Sequence, residues 1–382
     1  MKMKTKKIFK PGGQQMLDVS YIPPQLPHRE EQIKLLIDAL TLISEVPSET
    51  FFPPLLYGPT GTGKTSSMKL AAEKIKKEVK RKMVLHYVHV PCSVFTKSYS
   101  VVQRISEEIT SAPVRGLGGE ELLSMVFGEL ETRDEYLLLV LDDVDELIKR
   151  DRGRLLFMVT RLEEGHGKRR LFPVFVMRNW RILNVTPPAV RSKITGLRIE
   201  FEPYTKEELV SIVKQRLKLA FQPDVVSSNA VRQISFNSAV LGGGDARYAL
   251  ALLHGSGFVA LKTGSKKIGV EHIREAQQVF DRRVPHGVLD RVDRSSLVIL
   301  MAVAKGFKDE SDVHSFSIRK IYECYLDVSQ KLEEKVGSRN EVADKIEEFI
   351  DSSILYRDDG RIVLPSISAL DLYEKLVELV YK

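Results

Sequence analysis

The octapeptide Gly58-Pro59-Thr60-Gly61-Thr62-Gly63-Lys64-Thr65 has the residue types and spacing of a phosphate-binding loop. Its glycines let the backbone turn successive N–H groups toward an anion, and a helix beginning at Lys64 would aim its positive dipole end at the same charge. The Lys64 ammonium would reach the β- and γ-phosphates of ATP or ADP, with Ser66 in the same cofactor-binding turn, and the Thr65 hydroxyl would sit on Mg²⁺. Pro54-Leu55-Leu56-Tyr57 is an apolar strand candidate before the loop, and the stretch from Lys64 to about residue 80 is a helix candidate after it. A glycine-rich turn ahead of an ordinary helix is the bland alternative, and the full pattern in this context disfavours it.

A second piece of chemistry lies in Leu137-Leu138-Leu139-Val140-Leu141-Asp142-Asp143. An apolar strand ending in acid places carboxylates at the C-terminal edge of a sheet, beside such a loop. Asp142 would hold Mg²⁺ through water, and Asp143 would polarise the attacking water. Asn179 follows the strand candidate 172–177 and would orient that water, although an Asn after a strand is as often a turn former. Arg247, early in a helix candidate, would swing onto the γ-phosphate. Arg191 is either an arginine finger toward a neighbouring subunit or a solvated surface charge.

These groups need elements to position them. Residues 54–57, 84–90, 137–142, 172–177 and 197–201 are apolar, β-branched or aromatic runs separated by helix-like, charge-bearing stretches. That alternation predicts a parallel α/β sheet covered on both faces. From about residue 203 the strands stop. Thr205 is a predicted N-cap with Glu208 at its capping-box position, and further helices are expected at 227–238, 244–263 and 270–282. Residues 282–287 have the character of a linker. Helices near 294–305, 316–334 and 339–353 precede two apolar runs around Asp359-Gly360, a hairpin signal. The expected organisation is an α/β base over residues 1–202, an α-helical lid over 203–285 and a winged helix-turn-helix over 286–382.

With 43% hydrophobic and 29% charged residues, the 382-residue chain has the composition of a soluble globular protein. No run approaches the ~18 apolar residues of a membrane span, and the basic N-terminus lacks the apolar core of a signal peptide. Cys92 and Cys324 are expected as reduced thiols of a cytoplasmic, nucleoid-associated protein. The net charge of +7 points to a polyanionic partner. The charge is uneven: residues 1–200 hold 32 basic and 24 acidic residues, and 286–382 hold 14 and 19.

Taken in order, the motifs resemble those of the archaeal origin-recognition initiator family, AAA+ P-loop ATPases related to the eukaryotic origin recognition complex. Residues 21–33, with Pro23-Pro24-Gln25-Leu26-Pro27-His28-Arg29-Glu30, are similar to the family's proline-rich N-terminal segment. Gly58 to Thr65 resembles Walker A, and Leu141-Asp142-Asp143-Val144-Asp145-Glu146 resembles Walker B. Residues 98–119 occupy the place of the family's helical insertion. Asn179 falls at sensor 1, residues 201–209 with Tyr204 at the base-to-lid joint, and Gly244-Asp245-Ala246-Arg247 at sensor 2.

The resemblance implies a five-stranded parallel sheet, a helical lid and a C-terminal winged helix. It implies that Leu26, His28, Arg29 and Tyr204 join the nucleotide site. It further implies that the protein binds double-stranded origin DNA with ATP and ADP as the switch, alongside other initiator subunits or paralogues, and helps load the replicative helicase. Three departures stand out. Asp143 replaces the usual Glu of Walker B, Ala189 replaces an Arg ahead of the fifth strand, and the excess of acidic over basic residues in 286–382 is odd for a DNA reader, while Pro91-Cys92 resembles the family's Asn-Cys pair after the second strand.

Duplex contacts are expected from Arg115 in the insertion, from Arg339 and Asn340 at the start of the helix after Ser338, and from Arg357 and Arg361 on the wing. Two other functions fit the same motifs. One is a clamp-loader-like or other remodelling ATPase whose acidic C-terminal domain mediates protein assembly, and the other is a signalling switch of the NACHT type.

Overall fold

The computed structural model describes residues 8–45, 51–110, 116–161, 168–194, 196–280, 292–365 and 367–381. The linker expected at 282–287 and the candidate contact Arg115 lie outside the described residues. The chain divides into two compact units, Ile22–Pro203 on the one hand and residues 1–21 with 204–382 on the other.

In the Ile22–Pro203 unit, β1 Leu55–Tyr57, β2 Leu85–Pro91, β3 Tyr136–Asp142, β4 Leu171–Met177 and β5 Arg198–Glu200 form one parallel sheet. Its order is β2-β3-β4-β1-β5, and every expected strand appears within one residue of its expected bounds. Helices α1 Glu30–Glu45 and α2 Lys64–Val79 cover one face. The other face carries α3 Ser98–Ile109, α4 Gly119–Arg133, α5 Asp145–Asp151, α6 Arg154–Arg161 and α7 Pro188–Lys193. Strand alternation sorts the core between them: Leu138 and Val140 pack with α1 and α2, while Leu137, Leu139 and Leu141 pack with the others. All seven residues of β3 are buried. Covering both faces is what turns a strand into a continuous apolar run, with each buried Leu or Val contributing about 1.5–3 kcal/mol. Asp142 is tolerated because it stands at the strand's end, where the sheet opens.

The second unit gathers α8 Lys206–Ala220, α9 Ser228–Val240, α10 Ala246–Lys262 and α11 Val270–Phe280. The predicted capping box forms: Glu208 N–H donates to Thr205 Oγ1 at 3.2 Å, and Thr205 N–H to Glu208 Oε2 at 2.9 Å. Residues 8–21, expected with the base, pack on these helices instead. Ile8, Phe9 and Leu17 are buried in the helical core, and the Phe9 and Phe221 rings lie 4.6 Å apart. Gly257 makes room for them, since a Cβ there would meet Phe9 Cζ at 2.3 Å. Three apolar anchors without a period give no sequence signal of where they dock.

The same unit continues with α12 Arg294–Asp309, β6 Ser315–Phe316, α13 Ile318–Lys331, α14 Arg339–Asp351, β7 Tyr356–Asp358, β8 Arg361–Val363 and α15 Ala369–Val380. The three strands make an antiparallel sheet in the order β6-β8-β7. This is the element order expected of a winged helix-turn-helix. Asp359 and Gly360 both adopt positive φ, 49° and 73°, as a two-residue hairpin turn requires. Polar contacts join these elements to the helices before them. Arg274 is fully buried, donating to the carbonyls of Leu364 at 3.0 Å and Val313 at 3.2 Å. Lys206, the first residue of α8, pairs with Asp358 at 2.7 Å.

Candidate functional site

The loop between β1 and α2 is built on positive-φ glycines: Gly58 at 143°, Gly61 at 74° and Gly63 at 90°. A Cβ on Gly58 would meet Phe201 O at 2.1 Å, so no other residue fits there. Below the loop, Lys64 Nζ donates to the carbonyls of Gly58 at 2.7 Å and Pro59 at 2.6 Å. Thr62 Oγ1 donates to Pro59 O at 2.9 Å. Pro59 and Thr60 are exposed on the rim, and Thr65 and Ser66 are half-buried at the head of α2. The nine loop residues expected to hold the nucleotide, 58–66, are therefore a contiguous, internally braced cup.

Arg29 supplies that brace. Buried to 4% exposure, it donates through Nε to Thr62 O at 2.8 Å, and through its Nη atoms to His28 O and Glu202 O, each at 2.7 Å. The resemblance put it in the nucleotide site, and its contacts make it a support of the loop as well. His28 is exposed at φ 62°, and Leu26 is half-buried beside it.

Across the loop, the parallel register of β2 and β3 sets Pro91 opposite Asp142. Thr65 Oγ1 donates to Asp142 Oδ2 at 2.6 Å, His89 Nε2 meets the same oxygen at 3.0 Å, and Asp143 N–H donates to Oδ1 at 3.0 Å. Burial pushes the Asp142 carboxyl up, but the bonds from His89, Thr65 and Asp143 prevail and hold it below the usual carboxylate range. Asp143 goes the other way: burial and the charge of Asp142 raise it, against the pull of Arg178 and Lys64. Two neighbouring acids thus differ in basicity, one suited to hold a cation and one to interact with a proton. Cys92, next to this pair, has its thiol pushed up to about 12 by burial and the surrounding carboxylates, so it is inert.

Asp145 accepts from the backbone N–H of Arg178 at 2.9 Å and of Asn179 at 3.4 Å, fixing the end of β4. Asn179 is exposed and caps a 3-10 turn, Oδ1 accepting from Arg181 N–H at 3.0 Å. His89, Asp145 and Arg178 escaped sequence reasoning. Only the strand register, invisible in a single strand's periodicity, brings His89 to the site, whereas Asp145 and Arg178 stand beside Asp143 and Asn179 in the chain.

Tyr204 and Arg247 belong to the other unit. Tyr204 is buried in the helical core. Arg247 is half-exposed at the start of α10, beneath the N-cap Asp245, which accepts from Arg247 N–H at 2.7 Å. Arg191 is half-buried on α7.

The expected DNA contacts are unevenly placed. Arg339 and Asn340 are exposed in the first turn of α14, after the Ser338 cap. Arg357 pairs with Glu347, and Arg361 donates to Ser315 Oγ at 3.1 Å and Ser315 O at 3.0 Å.

A parallel sheet in this order, with a phosphate loop after β1, an acid pair after β3 and a helical lid, defines an AAA+ ATPase. Residues 53–179 match the AAA domain model, and residues 210–278 match the Cdc6 AAA+ ATPase-type lid domain. The ORC1-type DNA replication protein 1 of Sulfurisphaera tokodaii is 28% identical over 88% of this chain and 83% of its own length. The ORC1-type DNA replication protein of Pyrococcus horikoshii is 28% identical over 91% and 83%. Among solved structures, Cdc6p from Pyrobaculum aerophilum superposes with a TM-score of 0.85 at 24% identity, covering 98% of this chain and 99% of that one. The Aeropyrum pernix ORC1 protein in complex with DNA gives 0.64 at 26%, covering 98% and 97%. The chain belongs to the archaeal Orc1/Cdc6 family of AAA+ initiators.

Proposed function

We propose that this protein is an ATP- and ADP-switched replication initiator. It binds origin duplex DNA, works beside other initiator subunits and helps recruit or load the replicative helicase. The observation that carries the switch is the meeting of Thr65 and Asp142 across the loop. The curated relatives, which are DNA replication proteins, and the DNA-bound Aeropyrum pernix protein support the rest.

The chain's own residues suit Mg²⁺. Thr65 and Asp142 offer one neutral and one anionic oxygen. Among the described residues no group of three His, Cys, Asp or Glu forms a metal cage. Mg²⁺ is a cation that takes one or two carboxylates and completes its shell with substrate phosphates and water. When bound, it neutralises charge developing on the phosphoryl oxygens. The glycine loop orients the phosphates through its N–H groups, and Lys64 is the cation beneath them. Asp143 polarises the attacking water, Asn179 orients it, and Arg247 ties the lid to the γ-phosphate. The Asp143 side chain is one bond shorter than the family's usual Glu, and misplacement of about 1 Å can cost about 10²-fold in rate. Hydrolysis is therefore slow, and each nucleotide state is long-lived.

Arg339 and Asn340 are the exposed pair this reading assigns to duplex contact. The test is duplex binding at two salt concentrations, with and without ATP. Salt-sensitive binding that responds to nucleotide is expected. Absent or salt-insensitive binding favours instead a remodelling ATPase whose C-terminal region serves protein assembly, a reading with its own support in the pairing of Arg357 with Glu347.

A further inference from the structure

Helix α2 begins at the phosphate loop and ends in the densest block of positive charge in the chain. Residues 74–82 read Lys-Ile-Lys-Lys-Glu-Val-Lys-Arg-Lys, six cations against Glu78 alone. Lys74, Lys76, Lys77, Lys80, Arg81 and Lys82 are all exposed. Their helix is anchored from the opposite side, where Ala72, Ile75 and Val79 are buried in the core. Among the described residues, none of the six side chains forms an ion pair or hydrogen bond.

Elsewhere several helical lysines find a carboxylate one turn away. Lys149 pairs with Glu146 at 2.7 Å, Lys305 with Asp309 at 2.8 Å, Lys331 with Asp327 at 3.1 Å, and Lys345 with Glu348 at 2.9 Å. At the end of α2, by contrast, Lys76 is followed four residues on by the C-cap Lys80. Like charges at that spacing repel and destabilise a helix. The helix dipole favours cations in the last turn, but the effect is short-ranged and does not call for six.

We infer that this cluster is a second contact surface for duplex DNA, gripping the phosphate backbone without reading sequence. The inference rests on the proposed DNA-binding function and deepens it. Duplex affinity scales with the number of phosphates neutralised. The C-terminal cations are largely committed elsewhere, Arg357 to Glu347, Lys345 to Glu348 and Arg361 to Ser315. The end of α2 supplies the uncommitted charge. Lysine is a compact point charge that suits a phosphate oxygen and lacks the planar fork that reads a base edge. The cluster begins at Lys74, part-way along α2, and runs past the helix end at Val79, roughly 15–24 Å from the loop, so DNA there does not compete with nucleotide.

The test compares wild type with Lys76→Ala/Lys80→Ala/Arg81→Ala, with the charge-preserving Lys76→Arg/Lys80→Arg/Lys82→Arg, and with Arg339→Ala. Duplexes of two unrelated sequences are titrated across a salt series. The alanine triple is expected to weaken binding equally on both duplexes and to flatten the log–log salt slope by about 2–3, at ~0.9 for each phosphate no longer neutralised. The arginine triple should bind as wild type, and all variants should keep wild-type ATP affinity, which shows that α2 is intact. Unchanged affinity and slope in the alanine triple, with wild type binding normally, overturn the inference and leave the proposed function standing. Wild type that binds no duplex sinks both. A loss seen on phosphatidylserine vesicles but not on duplex overturns it in favour of a lipid surface. A loss in the alanine triple but none in Arg339→Ala upholds the cluster and removes the C-terminal contact.

Discussion

Thr65 Oγ1 and His89 Nε2 converge on one oxygen, Asp142 Oδ2, at 2.6 and 3.0 Å. The convergence keeps Asp142 ionised despite burial and makes it the best-placed anion for a divalent ion at the loop. Asp142→Asn removes the charge while keeping the shape. ATP affinity measured with Mg²⁺ should fall by about tenfold, near 1.4 kcal/mol, to the level seen in EDTA. A variant whose affinity still drops when Mg²⁺ is chelated would show that another group holds the ion.

Asp143 stands in the left-handed region at φ 55°, with Arg178 Nε 3.8 Å from Oδ1. Its backbone is already committed, so reach depends on side-chain length alone. Asp143→Glu extends the carboxylate by one bond and should raise single-turnover hydrolysis by up to about 10²-fold, with ATP affinity little changed. Equal or lower turnover would mean that the short acid is not what slows the reaction.

The loop, the acid pair and the Thr205–Glu208 capping box were all legible because each is a local pattern with a local physical cause. The bond from His89 to Asp142 was not. It depends on the register of β2 against β3, and a one-residue slip would point His89 to the other face. Arg357 was expected on DNA because duplex affinity comes from cations that neutralise phosphates. Its partner Glu347 sits on α14, ten residues back, and the packing of hairpin on helix brings the two together. The basic end of α2 was visible as composition. What the sequence hides is that its cations have no partners among the described residues.

Arg29 links three backbone carbonyls and touches the loop from behind. Arg29→Met keeps the bulk but removes the donor to the buried oxygen of Thr62, at a cost of about 1–3 kcal/mol. The melting temperature and the affinities for ATP and GTP should fall together, with the ATP-to-GTP preference unchanged. An altered preference without loss of stability would show that Arg29 contacts the nucleobase itself.

Acid should loosen the second unit, and His314 is the reason. Its ring is buried, with Nε2 meeting Asp358 Oδ2 at 2.9 Å and Nδ1 the side-chain amide of Gln233 at 2.8 Å, and burial holds its pKa below the ordinary 6.5 against the upward pull of Asp358. A histidine kept neutral binds fewer protons folded than unfolded. Its contribution is thus complete above about pH 6.5 and is lost as pH falls through the depressed folded value. His254 and His272 are depressed by burial in the same way. Asp358 acts lower. Burial raises it, but the bonds from Lys206 and His314 prevail and hold it below the ordinary 3.8, so its contribution disappears only in stronger acid. The melting temperature should therefore drop between about pH 7 and pH 5, by roughly 2–4 °C per kcal/mol for a unit of this size. His314→Gln preserves polar contacts without titrating and should flatten part of that drop. Superimposable pH profiles for variant and wild type would show that His314 keeps its proton balance on folding and that the acid sensitivity lies elsewhere.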